Sequence, residues 1–118
     1  MTTSIQRFQS TRRLSRVVVH NGTVYVAGVV ARNTEGDIGA QTADVLAQIE
    51  QYLASVGSGR DKLLSAQIWL KDIEADFAGM NAVWESWIPE QAVPTRATCE
   101  ARLATPAMRV EIIVTAAL

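Results

Sequence analysis

Apolar and polar positions near the N-terminus fall into two short runs. Val17-Val18-Val19-His20 and Thr23-Val24-Tyr25-Val26-Ala27 are dense in β-branched and aromatic side chains, and Asn21-Gly22 stands between them. Both turn residues tolerate positive φ, which a type I′ turn needs at its two central positions, so the segment predicts a β-hairpin. Gly28 follows the second run; a glycine there either ends the strand or lets another group approach the backbone closely. Residues 31–39, with Asn33, Gly36, Asp37 and Gly39, read as a loop. The period then changes. Val45, Leu46, Ile49, Leu53 and Val56 recur at helical spacing, while Asp44, Gln48, Glu50 and Gln51 fall mostly elsewhere, which predicts a helix over 40–56. Gly57 and Gly59 terminate it.

Strict alternation returns over 63–70 and predicts a strand with Leu64, Ala66, Ile68 and Leu70 on one face. A second helix begins near Asp72 to Asp76, where acidic residues suit the positive end of the helix dipole. Phe77, Met80, Trp84, Trp87 and Ile88 make its apolar stripe, and Pro89 and Pro94 bound its far side. Two more alternating runs follow, 94–103 and 108–117, joined by Ala104-Thr105-Pro106-Ala107. In the last of them Val110, Ile112, Val114 and Ala116 alternate with Arg109, Glu111, Ile113 and Thr115.

This order of strand, strand, helix, strand, helix, strand, strand predicts an α+β domain: one mostly antiparallel sheet with two helices on one face. With 118 residues, 48% of them hydrophobic, the chain suits a single domain over 1–118 with its own core. The apolar side of the last strand belongs under the helices. Its other side is too polar for a core and too apolar for a wet surface. Such faces often pack on another copy of the chain, and ligand sites often form at the seams.

Charge and cysteine content narrow the function classes. A formal net charge of -1 gives no general phosphate-binding surface, so nucleic acid is not expected as the main partner. Arg7, Arg12, Arg13 and Arg16 cluster near the N-terminus and read as a solvated edge. The single cysteine, Cys99, permits no intrachain disulfide and points to a reducing compartment. The first residues lack the apolar core of a signal peptide, and no apolar run approaches the ~20 residues that span a bilayer. A soluble, cytoplasmic protein without membrane partners is expected. His20, at the hairpin tip, is expected to be exposed and has no second metal ligand nearby, so no metal site is expected. Trp69, Trp84 and Trp87 read as core or interface packing.

The chemistry lies in the last two strands. If they pair as neighbours, Arg96, Thr98 and Glu111 project from one face of the sheet. A guanidinium presents a planar fork of donors that matches a carboxylate, and a nearby carboxylate can move a proton. Taken alone, Arg96 also suits a salt bridge to Glu111 or Glu100, Glu111 a solvated strand position, and Thr98 simple β-branching. Cys99 falls on the opposite, apolar face and reads as a buried small hydrophobe rather than a nucleophile.

Asn21-Gly22 leading to Gly28, Gln48-Ile49, Phe77-Ala78, Met80-Asn81, Pro94-Thr95-Arg96 and Val110-Glu111-Ile112 occur in an order and spacing that resemble the RidA/YjgF family, and within it the divergent, YoaB-like branch. The resemblance covers roughly residues 14–118. It implies a chorismate-mutase-like fold and a homotrimer with sites at the subunit interfaces. It also implies hydrolysis of reactive 2-imino and enamine acids, such as 2-aminoacrylate, to 2-keto acids and ammonia, with no cofactor. Carried onto this chain, it gives Arg96 as the carboxylate ligand, Glu111 as the group that orients or activates water, and Thr98 at a position that is often cysteine. Asn81 becomes a helix asparagine near the cleft, and Gly28 part of the substrate-binding wall. Two segments depart from the family pattern. Leu14, within Arg13-Leu14-Ser15-Arg16, stands where the RidA subgroup has a pocket aromatic, and Gly28-Val29-Val30-Ala31 replaces a Gly-Gln-x-Pro turn. The resemblance leaves two function classes, an imine/enamine deaminase and a non-catalytic trimer that binds small carboxylates through Arg96. A ribonuclease role attached to some relatives is not favoured by the charge balance.

Overall fold

The computed structural model describes residues 4–118. Its elements are β1 (Gln6–Ser10), β2 (Ser15–His20), β3 (Thr23–Val30), α1 (Ile38–Ala54), β4 (Leu63–Leu70), α2 (Ile73–Trp87), β5 (Thr95–Glu100) and β6 (Val110–Ala117), with a 3-10 turn, Arg60–Lys62, leading into β4. The six strands form one sheet in the order β1-β2-β3-β6-β4-β5. Every pairing is antiparallel except β4 with β5. The hairpin turns as its sequence requires: Asn21 and Gly22 have φ of 50° and 78°, and His20 pairs with Thr23.

Alternation along the strands gives the sheet two unlike faces. Val17, Val19, Val24, Val26, Ala66, Ile68, Leu70, Val110, Ile112, Val114 and Ala116 point one way and are buried. Both helices cover that face. α1 contributes Val45, Leu46, Ile49 and Leu53, and α2 contributes Met80 and Trp84. Burying each such side chain stabilises the fold by about 1.5–3 kcal/mol. The helices start where side chains satisfy their first N–H groups: Asp37 accepts from Ala40 N and Asp72 from Ala75 N. The other face carries Val18, Tyr25, Ser65, Gln67, Trp69, Glu111, Ile113 and Thr115, all only partly covered or exposed. It is the mixed face expected from the last strand.

Several expectations are corrected. A first strand, β1, precedes the hairpin. All five of its residues are exposed and it is held by pairing with β2, so no burial pattern announces it. Leu64 lies on the open side, 49% exposed, because the β4–β6 register shifts between Leu63 and Ser65 and Leu63 takes the core position. Phe77 is 42% exposed; Asp76 occupies the inward position beside it, held by Arg109 Nη1 at 3.1 Å. His20 is half-buried, its ring within 3.4 Å of Ser4 O. Cys99 is exposed rather than buried, because it shares the open face with Trp69, its register partner. The last two strands are not neighbours: β4 runs between β5 and β6.

Candidate functional site

The intervening strand divides the expected site into two halves. Glu111 lies on the open face of β6, in register with Val30 on one side and Trp69 on the other. Beside it, β3 bulges between Val26 and Val29. The extra residue turns Gly28 toward Glu111, and a methyl group on Gly28 would overlap Glu111 Oε2. Of the two readings of this glycine, the close approach is the one seen, since β3 continues to Val30. The Gly28 carbonyl accepts from Arg16 Nη2 at 3.3 Å, and the Arg16 guanidinium stacks over Tyr52, 5.0 Å from the ring centroid. Arg16 thus closes the gap where β2 and β3 part, rather than joining a solvated edge.

Arg96 forms the other half. It pairs in register with Ala66, which is buried beneath the helices, so Arg96 projects on the helix face of the edge strand β5. Its guanidinium lies over the ring of Trp84, 5.6 Å from the centroid. Burial lowers its pKa from the ordinary arginine value, and the charge of Glu85 works against that shift. Thr98 is in register with Ile68 and shares this face; its Oγ1 is buried without a hydrogen-bond partner among the described residues. Asn81 is half-buried on α2, one turn before Trp84 and Glu85 and on the same flank. Leu14 is 43% exposed in the turn between β1 and β2, at the opposite edge of the sheet from Arg96.

Arg96 and Thr98 therefore come together, as do Glu111 and Gly28, but the two pairs face opposite sides of the sheet. β5 and β6 are two strand spacings apart, about 10 Å. A small acid held by Arg96 cannot reach Glu111 of the same chain. Sequence reasoning missed Trp84 and Glu85 as neighbours of Arg96, although their spacing of three and four residues from Asn81 carried the signal. Among the described residues no group of three or more His, Cys, Asp or Glu is placed to hold a metal ion. Among the described residues no helix is long and apolar enough to cross a membrane.

A family model described as Endoribonuclease L-PSP matches residues 4–118. The chain belongs to the RidA/YjgF family. A RutC family protein of Haemophilus influenzae is 42% identical over 114 residues, covering 96% of this chain and 97% of its own. The RutC family protein YoaB of Escherichia coli is 41% identical over 115 residues, covering 98% and 99%. Among solved structures, NMB1025 of Neisseria meningitidis, described as a member of the YjgF protein family, superposes with a TM-score of 0.94 at 44% identity, over 98% of this chain and 95% of that one. Two helices on a six-stranded, mostly antiparallel sheet are thus the RidA/YjgF fold in this chain as in its neighbours.

Proposed function

We propose that the protein hydrolyses 2-imino acids and their enamine tautomers to 2-keto acids and ammonia, in the cytoplasm, as a homotrimer whose sites lie at the subunit seams. The observation that carries this reading is the glycine bulge that holds the Glu111 carboxylate against the backbone of β3 on an otherwise uncovered face. In the reaction, water adds to C2 of the protonated imine and the C=N electron pair moves to nitrogen. The water proton passes to Glu111, which returns it to that nitrogen. Glu111 then takes the hydroxyl proton of the adduct as the C–N bond breaks and ammonia leaves a 2-keto acid, and it releases that proton to solvent. Arg96 of a neighbouring copy anchors the substrate carboxylate through a bidentate pair, and the buried Thr98 hydroxyl lies on the same face of β5, two residues further on. The opposite facing of the two halves supports a site shared between copies, since one chain offers only half of it to any one ligand. An exposed lone thiol at Cys99 fits a reducing compartment.

A panel of 2-imino acids, generated by an amino-acid oxidase with semicarbazide trapping the remainder, tests the reading. Wild type accelerates imine loss, and Glu111→Gln slows it by about 10²–10⁴-fold while keto-acid binding is kept. A wild type that binds the keto acid yet never accelerates hydrolysis leaves the binding-module reading in its place.

A further inference from the structure

Trp84 is only 4% exposed, and the face of its ring carries the Arg96 guanidinium. The same tryptophan lines a cavity of about 360 Å³, whose other walls are Glu85, Ile88, Glu90 and Val93. Three walls are apolar and two are acidic. Arg96 feels the charge of Glu85. Yet among the described residues the ion pairs within 4 Å are Arg60 with Glu50 and Arg109 with Asp76, so Glu85 is not bonded to Arg96. Its carboxylate therefore keeps its acceptor capacity beside a cation that has its own use.

We infer that Glu85 is a specificity-determining residue that recognises the ligand nitrogen: Arg96 takes the carboxylate, Glu85 the protonated imine or amine, and the cavity over Trp84, Ile88 and Val93 an apolar side chain. This rests on the reading of Arg96 as the carboxylate anchor. The chemistry separates substrate from product. A protonated 2-imino acid is a zwitterion, positive at nitrogen and negative at the carboxylate. A 2-keto acid carries the negative charge alone, with a carbonyl oxygen where the nitrogen was. A carboxylate beside that position attracts the first and repels the second, so it favours substrate capture and product departure together. Glu90 adds to the repulsion and also disfavours ligands with acidic side chains.

The test uses stable ligands and the full-length protein. Isothermal titration compares L-leucine, whose ammonium stands in for the protonated imine, with 4-methyl-2-oxopentanoate. Wild type binds leucine the more tightly. Glu85 is exposed, so Glu85→Gln leaves the fold intact and reduces the leucine-to-keto-acid affinity ratio roughly fivefold, the upper range for a solvent-facing charge pair. Glu85→Asp keeps part of the ratio, and Arg96→Ala loses both ligands. An unchanged ratio in Glu85→Gln, a wild-type preference for the keto acid, or a wild type that binds neither ligand overturns the inference. The outcome is separable from the deaminase reading. A shifted ratio in a protein that never hydrolyses imines supports Glu85 and sinks the deaminase, whereas hydrolysis with an unchanged ratio sinks Glu85 alone.

Discussion

Gln41 is fully buried, and its side chain makes four hydrogen bonds to backbone groups. Its Nε2 donates to Thr34 O, Gly36 O and Ala107 O at 3.1–3.2 Å, and its Oε1 accepts from Arg109 N at 2.9 Å. One amide thus ties the β3–α1 loop to the chain that enters β6, two residues before Glu111. Gln41→Glu removes both donated hydrogens and turns a carboxylate toward three carbonyl oxygens. It is expected to cost about 3–5 kcal/mol in chemical denaturation. Nothing local in the sequence marks this glutamine, because its partners are up to 68 residues away. Gly28 was legible, since a glycine after a β-branched run always asks what comes close to it. Gly28→Ala forces the Glu111 carboxylate to swing away. Because only the mobile end of that side chain must move, stability should change by less than about 1 kcal/mol. Imine hydrolysis should fall about 10²-fold, as expected for displacement of a reacting group by roughly 1 Å. Equal activity in this variant would separate Glu111 from the chemistry.

Elements with clear periods were read correctly from sequence: the hairpin, both helices, and the apolar side of β6. What failed was parity and adjacency. A single extra residue between Leu63 and Ser65 reverses Leu64, and no local pattern encodes it. The two C-terminal strands look like a hairpin in sequence, but β4 offers β5 a parallel edge and β6 an antiparallel one, and only tertiary packing decides between these. β3 and α1 are joined by a second polar clamp. Asp44 accepts from Arg32 N at 3.0 Å, Asn33 N at 3.2 Å and Gln48 Nε2 at 2.9 Å, and Gln48 also donates to Val30 O. Burial works to raise the Asp44 pKa, but the hydrogen bonds from Gln48, Asn33 and Arg32 hold it below the ordinary carboxylate value. A lowered folded pKa means that the contribution is fully present above the unfolded value, near pH 4, and is lost as pH falls through the folded one. Asp44→Asn should therefore cost about 1–3 kcal/mol at pH 7. In urea titrations the gap from wild type should close as pH falls below the ordinary carboxylate range; a gap that persists in acid would show that the charge is not what stabilises the clamp.

At the scale of the whole molecule, the fold places its two chemical halves where one chain cannot use them together. The family resemblance proposes Arg96, Thr98 and Glu111 as site residues, but it does not reveal that β4 separates Arg96 and Thr98 from Glu111. That fact follows only from strand order. On the proposed reading the site lies at the seam between copies, with Arg96 from one subunit and Glu111 from the next. The most direct test is complementation. Arg96→Ala and Glu111→Gln should each be nearly inactive, and the two are unfolded together and refolded as a mixture. If each site draws one residue from each neighbour, about a quarter of the seams in an equal mixture pair an intact Arg96 with an intact Glu111. The mixture should then recover roughly a quarter of wild-type imine hydrolysis. A mixture no more active than either variant alone would contradict a site built across the seam.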